Sequence, residues 1–555
     1  MDAEVLPYHW DDRAQLHADY LNLQGLHERL LRGLSVDLNQ THGVDHGLRF
    51  WRILVGPWLG CFVQMLFDRW SCIQRAIGGY ELSGTVVLFG GEEFLIPNDM
   101  CEFPVLYVGD EWNHHIYGAI LQQLCQMPTI RVPRKAPHET AGVALPATLT
   151  QRAHKALVPL YSRMASALAR ERDAFFISTY LRPLDELRVQ WRLGQMPQLW
   201  RSVPAVRIEV DESKRRWVVS GESRSQFEDC ARALIPMQIP AVYVEGYRQL
   251  CDQAASLPWP EQPKVIWTSN SHNSDDVFKV WAAEKVERGS PLVVGQHGGH
   301  YGMGRWSFTE DHDIAISDCY LTWGWSNGRD HVVPVGQLKA KRPLGVRHSA
   351  QTRALLVTFT VPRFSYWMYS AAVSRQWLDY FRDQCAFIAN LPRPIQDALI
   401  IRLYPEDYGW DQLSRWRDCF PDLHVDQGES PIDDLIRQSR LYISTYNATT
   451  FLESITMNVP TVMYWNPGHW ELRACAERYF ADLKRVGIFH ETPESAAQHV
   501  AAIWDDVDAW WQSVPVREVV NRFALKYCHL PDDLLDCIVA AIGEVTSAAD
   551  NKVAK

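Results

Sequence analysis

The sequence predicts an α/β protein of two domains, each on a largely parallel sheet, facing a common cleft and preceded by a helical segment. Three observations predict it. The chain has 555 residues, more than one hydrophobic core organises. From Lys264 onward, short apolar runs alternate with helix-length stretches, the pattern of repeated βα units. Lys339 to Ser349 (KAKRPLGVRHS) is basic, rich in turn formers and without apolar periodicity, which suits an interdomain linker. The expected domains are therefore 1–345 and 350–545.

The elements follow in order. Residues 10 to 80 read as helices, with Leu23, Leu26, Leu30 and Leu34 at helical spacing. Ile53 to Phe67 is the most apolar stretch; Gly56-Pro57 breaks it, so a buried helix pair is expected, with peripheral membrane contact as the alternative. Thr85 to Phe89 and Val105 to Val108 read as strands and Asp110 to Leu124 as a helix. A peripheral insertion is expected near 150–235, helical and variable to about 200, with a peripheral hairpin or insertion over 205–232. The first domain then reads KVIWTSN, a helix from Asp276 to Arg288, PLVVGQHGG, CYLTWGW and VVPVG. The second reads ALLVTFT, ALIIRLYP, LHVDQG, LYISTYN and PTVMYW, with a frayed tail after Glu544.

Bulk properties narrow the function classes. The chain is 47% hydrophobic and 22% charged, an ordinary globular composition. A net charge of -11 argues against a general nucleic-acid binder. The 12 cysteines are scattered, without a CxxC pair, as in a cytoplasmic protein with reduced thiols and no structural zinc. The start, MDAEVLPYHWDDR, lacks the pattern of a signal peptide, so the cytosol is the expected compartment.

Ligands of open α/β sheets sit at the carboxyl ends of strands, where the polar turns of this chain fall. After Leu441-Tyr442-Ile443, residues Ser444, Thr445, Asn447, Thr449 and Thr450 form a hydroxyl-rich turn opening a helix, an arrangement that stabilises a phosphate or merely caps the helix. Glu453, one turn in, is placed to accept from ribose hydroxyls. Arg402 and Tyr404 end another strand, where a guanidinium forks to phosphate or pairs with Glu406 or Asp407. In the first domain, Gln296-His297-Gly298-Gly299 offers a strand-end imidazole flanked by glycines, a candidate general base or cation on a departing phosphate, or a structural histidine of a tight turn. Asp110 and Glu111 are candidate carboxylates to deprotonate an acceptor hydroxyl or attack a sugar carbon, or first-turn helix charges. A metal reading through His297, His300, His114 and His115 lacks the carboxylates such sites use.

Taken together, Trp10-x-Asp12-Arg13, Leu38-Asn39-x-x-His42, Trp51-Arg52, Pro57-Trp58-Leu59, Trp112-Asn113, Gln296 to Gly299, Trp323-Gly324-Trp325 and the Ser444 to Pro460 block resemble a transferase family of bacterial O-antigen and surface-carbohydrate loci. More distantly the chain is similar to GT-B glycosyltransferases and polymer glycerophosphotransferases. The resemblance implies two Rossmann-like domains. The C-terminal one would hold an activated nucleotide through Arg402, Ser444, Thr445, Asn447, Thr449 and Glu453, and the N-terminal one would receive the acceptor, with His297 facing the transferred group. Arg402-Leu403-Tyr404-Pro405 departs from the form common among relatives that use cytidine nucleotides, which leaves cytidine, uridine and guanosine open. The expected function is metal-independent glycosyl transfer from a nucleotide sugar to a glycan or lipid-linked acceptor. Polyol-phosphate transfer from a CDP donor is one alternative, and a non-catalytic binding subunit of glycan assembly is another.

Overall fold

The computed structural model describes residues 5–124, 128–134, 170–339, 352–364 and 368–553. Most of the expected linker and the first part of the expected insertion, 150–169, lie outside the described residues. All strand pairs are parallel. A small two-stranded sheet joins β1 (Thr85–Phe89) to β2 (Thr129–Pro133). The first large sheet runs consecutively through β3 (Phe175–Ile177), β4 (Ile266–Thr268), β5 (Leu292–Gly295), β6 (Cys319–Thr322) and β7 (Val332–Pro334). The second contains β8 (Ala354–Val357), β9 (Leu399–Arg402), β10 (His424–Asp426), β11 (Leu441–Ser444), β12 (Thr461–Tyr464) and β13 (Phe489–His490). Its order, β10-β9-β8-β11-β12-β13, reverses direction between β8 and β11. That reversal opens a crevice outside the carboxyl ends of the two strands, the usual ligand position in a doubly wound sheet.

Helices cover these sheets and tie them together. Asp12 accepts from the N–H groups of Ala14 and Gln15 and so caps the helix Arg13–His42, which Gly43 ends in the left-handed conformation (φ 67°). Its leucines 23, 26, 30 and 34 are buried, as the spacing predicts. Arg13 crosses to the second domain, where Nε and Nη2 donate to Glu471 at 2.7 and 2.8 Å.

The expected break at Gly56-Pro57 does not occur: Leu48–Gly79 is one helix containing Pro57. Close packing holds it, because a Cβ at Gly60 would lie 1.8 Å from the Phe308 ring. The helix is long and apolar enough to cross a membrane, yet 89% of its most apolar stretch is buried inside the protein.

Three other expectations are corrected. Val105 to Val108 is not a strand, since Pro104 fits the first turn of a short helix, Phe103–Tyr107. The stretch 205–232 forms no hairpin but a short 3-10 turn, Glu212–Arg215, and the start of the helix Gln226–Gln238. The tail is ordered as the helix Leu534–Val553, which packs on Pro183–Arg192 and β6 of the first domain. His529 anchors this return: its N–H donates to the Trp323 carbonyl at 2.9 Å, and its own carbonyl accepts from Gln337 N–H at 2.7 Å. The stretch 350–545 is therefore not one spatial unit; its last helix belongs with the first sheet.

Candidate functional site

The turn after β5 and the turn after β11 touch. Gly299 N–H donates to Thr449 Oγ1 at 3.1 Å, and a Cβ at Gly299 would come within 2.3 Å of the Ala448 carbonyl oxygen. Only glycine lets the two backbones approach this closely. The loops that carry His297 and the Ser444–Thr450 turn are therefore in direct contact, and a second pair of loops, around Arg305 and Arg473, also meets. Arg305 N–H donates to the Glu471 carbonyl, and Arg473 N–H to that of Met303, both at 2.9 Å.

On the first-domain side, His297 Nε2 lies 3.2 Å from the Tyr301 hydroxyl, which donates to Thr309. Its Nδ1 is 3.6 Å from Asp313 Oδ2, within ion-pair reach. Neither atom has a hydrogen-bond partner among the described residues. The other Asp313 oxygen is 2.6 Å from His272 Nε2, and both residues are fully buried. Burial alone would raise the Asp313 carboxyl, but the imidazoles of His272 and His297 hold it down at about 2. A buried carboxylate behind an imidazole fixes the ring's orientation and stabilises its protonated form, as in a general-base dyad. His300, three residues on, is different: burial pushes it down to about 3, so it is neutral, and Nε2 sits 3.1 Å from Ser307.

Several first-domain candidates take other places. Gln296 is buried, with Oε1 accepting from Trp323 N–H (3.0 Å) and Trp325 Nε1–H (2.8 Å) and Nε2 donating to the Gly298 carbonyl (2.8 Å). It shapes the loop instead of facing a ligand, and this explains the Trp323-Gly324-Trp325 signature. Asp110 forms an exposed two-oxygen contact with Arg363 of the second domain, at 2.8 and 3.1 Å. Glu111 is paired with Arg134 beside the small sheet, and no contact ties it to the His297 loop. Asp110 and Glu111 are thus ion-pair partners in this structure, not members of the His297–Asp313 dyad.

On the second-domain side, the turn divides into groups that build it and groups left open. Thr445 is fully buried, donating to the Val357 carbonyl at 2.8 Å and bonded to Tyr380. Ser444 Oγ donates to the Tyr446 carbonyl (3.1 Å), and Thr450 Oγ1 accepts from the Tyr442 hydroxyl (2.6 Å). In this structure these three hydroxyls build the turn. Arg402 is engaged too: its guanidinium pairs with Asp426 on neighbouring β10, not with Glu406 or Asp407.

Asn447 is the opposite case. It is 3% exposed, and both Nδ2 and Oδ1 are buried without a partner among the described residues. So is Thr360 Oγ1, just past the end of the adjacent β8. Ala448 gives the helix Thr449–Thr456 no side-chain cap, so its first backbone N–H groups open beside Asn447. Tyr446 gathers the rest. Burial raises its phenol to about 12, with Thr450 and Arg402 opposing and the fields of Tyr404 and Glu453 adding. Tyr404 is 41% exposed and stacks on Tyr408, ring centroids 6.2 Å apart, a flat apolar face at the rim.

Asp313, His272, Tyr301, Thr360 and Tyr446 escaped the sequence reading. Asp313 carries no motif signal, since it lies in the helix Phe308–Ile316. Thr360 was legible only as one of three hydroxyl or aromatic residues ending ALLVTFT.

Two parallel-sheet domains whose strand-end loops meet, with an imidazole–carboxylate pair on one side and an unpartnered amide on the other, and a final helix returning to the first domain make this the two-domain α/β protein expected from the sequence. The chain belongs to the LIC12162 family of transferases, whose model matches residues 1–542. No curated protein matches the sequence. Among solved structures, TarM is 8% identical with a TM-score of 0.33, over 50% of this chain and 54% of that one, so the chain spans about half of TarM's length. The wall teichoic acid polymerase TagF, soaked with CDPG, is 10% identical with a TM-score of 0.33, over 72% of this chain and 97% of that one. MurG of Acinetobacter baumannii is 12% identical with a TM-score of 0.30, over 83% and 99%.

Proposed function

We propose that this transferase moves a sugar from a nucleotide-activated donor to a glycan or lipid-linked acceptor, in the assembly of a surface polysaccharide such as an O-antigen or lipopolysaccharide. The contact between Gly299 and Thr449 carries the reading, because it sets the candidate base against the open helix N-terminus. In this reading the diphosphate lies on the backbone N–H groups following Ala448 and on the Asn447 amide, where fixed dipoles stabilise the charge that develops as the donor bond breaks. The Tyr404–Tyr408 face takes the base, and Glu453 the ribose. His297, with the Asp313 carboxylate 3.6 Å behind its Nδ1, removes the acceptor proton at Nε2. The reaction is placed in the cytoplasm; the eleven free cysteines among the described residues suit a reducing compartment.

A silent binding subunit does not suit a family of transferases with this dyad. Transfer of a polyol phosphate would attack phosphorus instead of carbon, and mass spectrometry of the extended acceptor separates the two: the glycosyl product gains no phosphate.

The donor assignment is tested with Asn447→Ala. A buried amide without partners costs the fold about 1–3 kcal/mol, so a purely structural site predicts equal or higher melting temperature and nothing else. The expected result adds at least a tenfold loss of nucleotide affinity by calorimetry. Unchanged affinity for every nucleotide that binds the wild type sinks the assignment.

A further inference from the structure

A second cavity, of about 200 Å³, adjoins His297 on the first-domain side. We propose that it is an acceptor subsite for an uncharged sugar residue that carries an apolar substituent, a methyl or an acetamido group. The inference rests on the glycosyl-transfer reading above and adds the class of acceptor.

Position comes first. Asn270, Asn273 and Ser274 follow β4, and His297 follows β5, so the mouth opens at the carboxyl ends of adjacent strands, on the edge that carries the candidate base. These four residues are half-buried, whereas the interior is formed by buried side chains including Phe103, Phe308 and Met100. The cavity thus adjoins the candidate base directly, since His297 is part of its lining.

Chemistry selects the occupant. No Lys, Arg, Asp or Glu occurs among the described residues that line the cavity. Burial pushes His312 well below its ordinary value, so this ring is neutral, and its Nε2 is buried with no hydrogen-bond partner among the described residues. A phosphate brought here would lose its water without meeting any Lys or Arg, and the buried Asp313 carboxylate behind His297 would oppose it, a large penalty. A neutral sugar meets what is present: aromatic walls for its C–H face, carboxamides and hydroxyls at the rim for its polar groups, and an apolar interior that a bare hydroxyl would not satisfy but a methyl would.

The test uses the full-length protein without nucleotide. Saturation-transfer NMR is run with methyl glycosides of N-acetylglucosamine, rhamnose and glucose, and with glycerol 1-phosphate. The expected result is strongest transfer to the acetamido or C6 methyl, with at least tenfold weaker binding of the glucoside and no binding of glycerol 1-phosphate. Asn273→Trp, which fills the mouth, should abolish the signal. Asn273→Asp, nearly isosteric, should weaken it at least fivefold at pH 7 with an unchanged melting temperature. No signal from any glycoside, equal binding of glycerol 1-phosphate, or wild-type binding by folded Asn273→Trp or Asn273→Asp overturns the proposal. Nucleotide titration by calorimetry, run in parallel, keeps the readings apart. Glycosides that bind while nucleotides do not leave the subsite standing and remove the donor assignment, and the reverse removes only the subsite.

Discussion

Asp313 sits under the first-domain loop with one carboxylate oxygen on His272 and the other facing His297. The carboxylate has no water to solvate it, so its charge persists only because two imidazoles share it. Asp313→Asn keeps the size and the His272 contact while removing that charge. The expected consequence is a fall in kcat of about 10²-fold or more with little change in acceptor KM, because a His297 no longer held by an anion loses its tautomer and its stabilised cation. A change confined to KM would mean that Asp313 serves binding alone. The acid dependence has a defined sign. A carboxyl depressed to about 2 in the folded state contributes stability above its unfolded value, about 3.9, and loses it as pH falls towards 2. The wild type's advantage over Asp313→Asn in urea unfolding should therefore be level from neutrality to about pH 4 and shrink below it.

At the scale of elements, the decisive contact is loop on loop. Gly299→Ala would set a methyl 2.3 Å from the Ala448 carbonyl oxygen, and neither partner is a flexible side-chain end. One loop must shift, so turnover should fall at least tenfold while nucleotide affinity, set within the second domain, changes less than threefold. Turnover assays and calorimetry on one preparation check both. The strands feeding these loops were readable because buried parallel strands are continuous apolar runs, as in LYIS and ALLV. What failed had local reasons. β3 and β13 hold three and two residues, too few to show a period. β2 is exposed along its whole length. Val105 and Val108 are β-branched, yet Pro104 and the packing of Phe103 favour a helical turn. In Leu48–Gly79, burial outweighs the missing Pro57 hydrogen bond. At the site, sequence located the strand-end turns and His297, but it did not separate Thr445, whose hydroxyl holds β8, from Asn447, whose amide faces nothing. That distinction depends on residues about 90 positions away.

At the scale of the molecule, one of the contacts between the two domains is a charge pair whose carboxylate is buried and whose guanidinium is partly exposed. Arg473, before the helix Ala474–Arg485, donates from Nη1 to Glu310 Oε1 at 2.7 Å, and Glu310 Oε2 accepts from Gly302 N–H at 2.8 Å. Glu310 is 1% exposed, and burial raises its carboxyl while Arg473 opposes the shift. Replacing the cation, as in Arg473→Met, leaves a buried carboxylate that keeps, among the described residues, the uncharged Gly302 N–H donor, at a cost of about 3–5 kcal/mol for breaking such a pair. In the variant the Glu310 carboxyl should climb further. A carboxyl raised in the folded state favours folding fully below its unfolded value, and that contribution is lost as pH rises through the folded one. The melting-temperature deficit of Arg473→Met should accordingly be small near pH 4.5 and widen towards pH 8, and Glu310→Gln added to it should remove most of the widening. Thermal unfolding of the wild type, both single variants and the double variant at the two pH values measures this coupling. A deficit that stays constant with pH would show that Arg473 acts through packing alone, and the closure of the domains would then rest on backbone contacts such as that between Gly304 and Leu472.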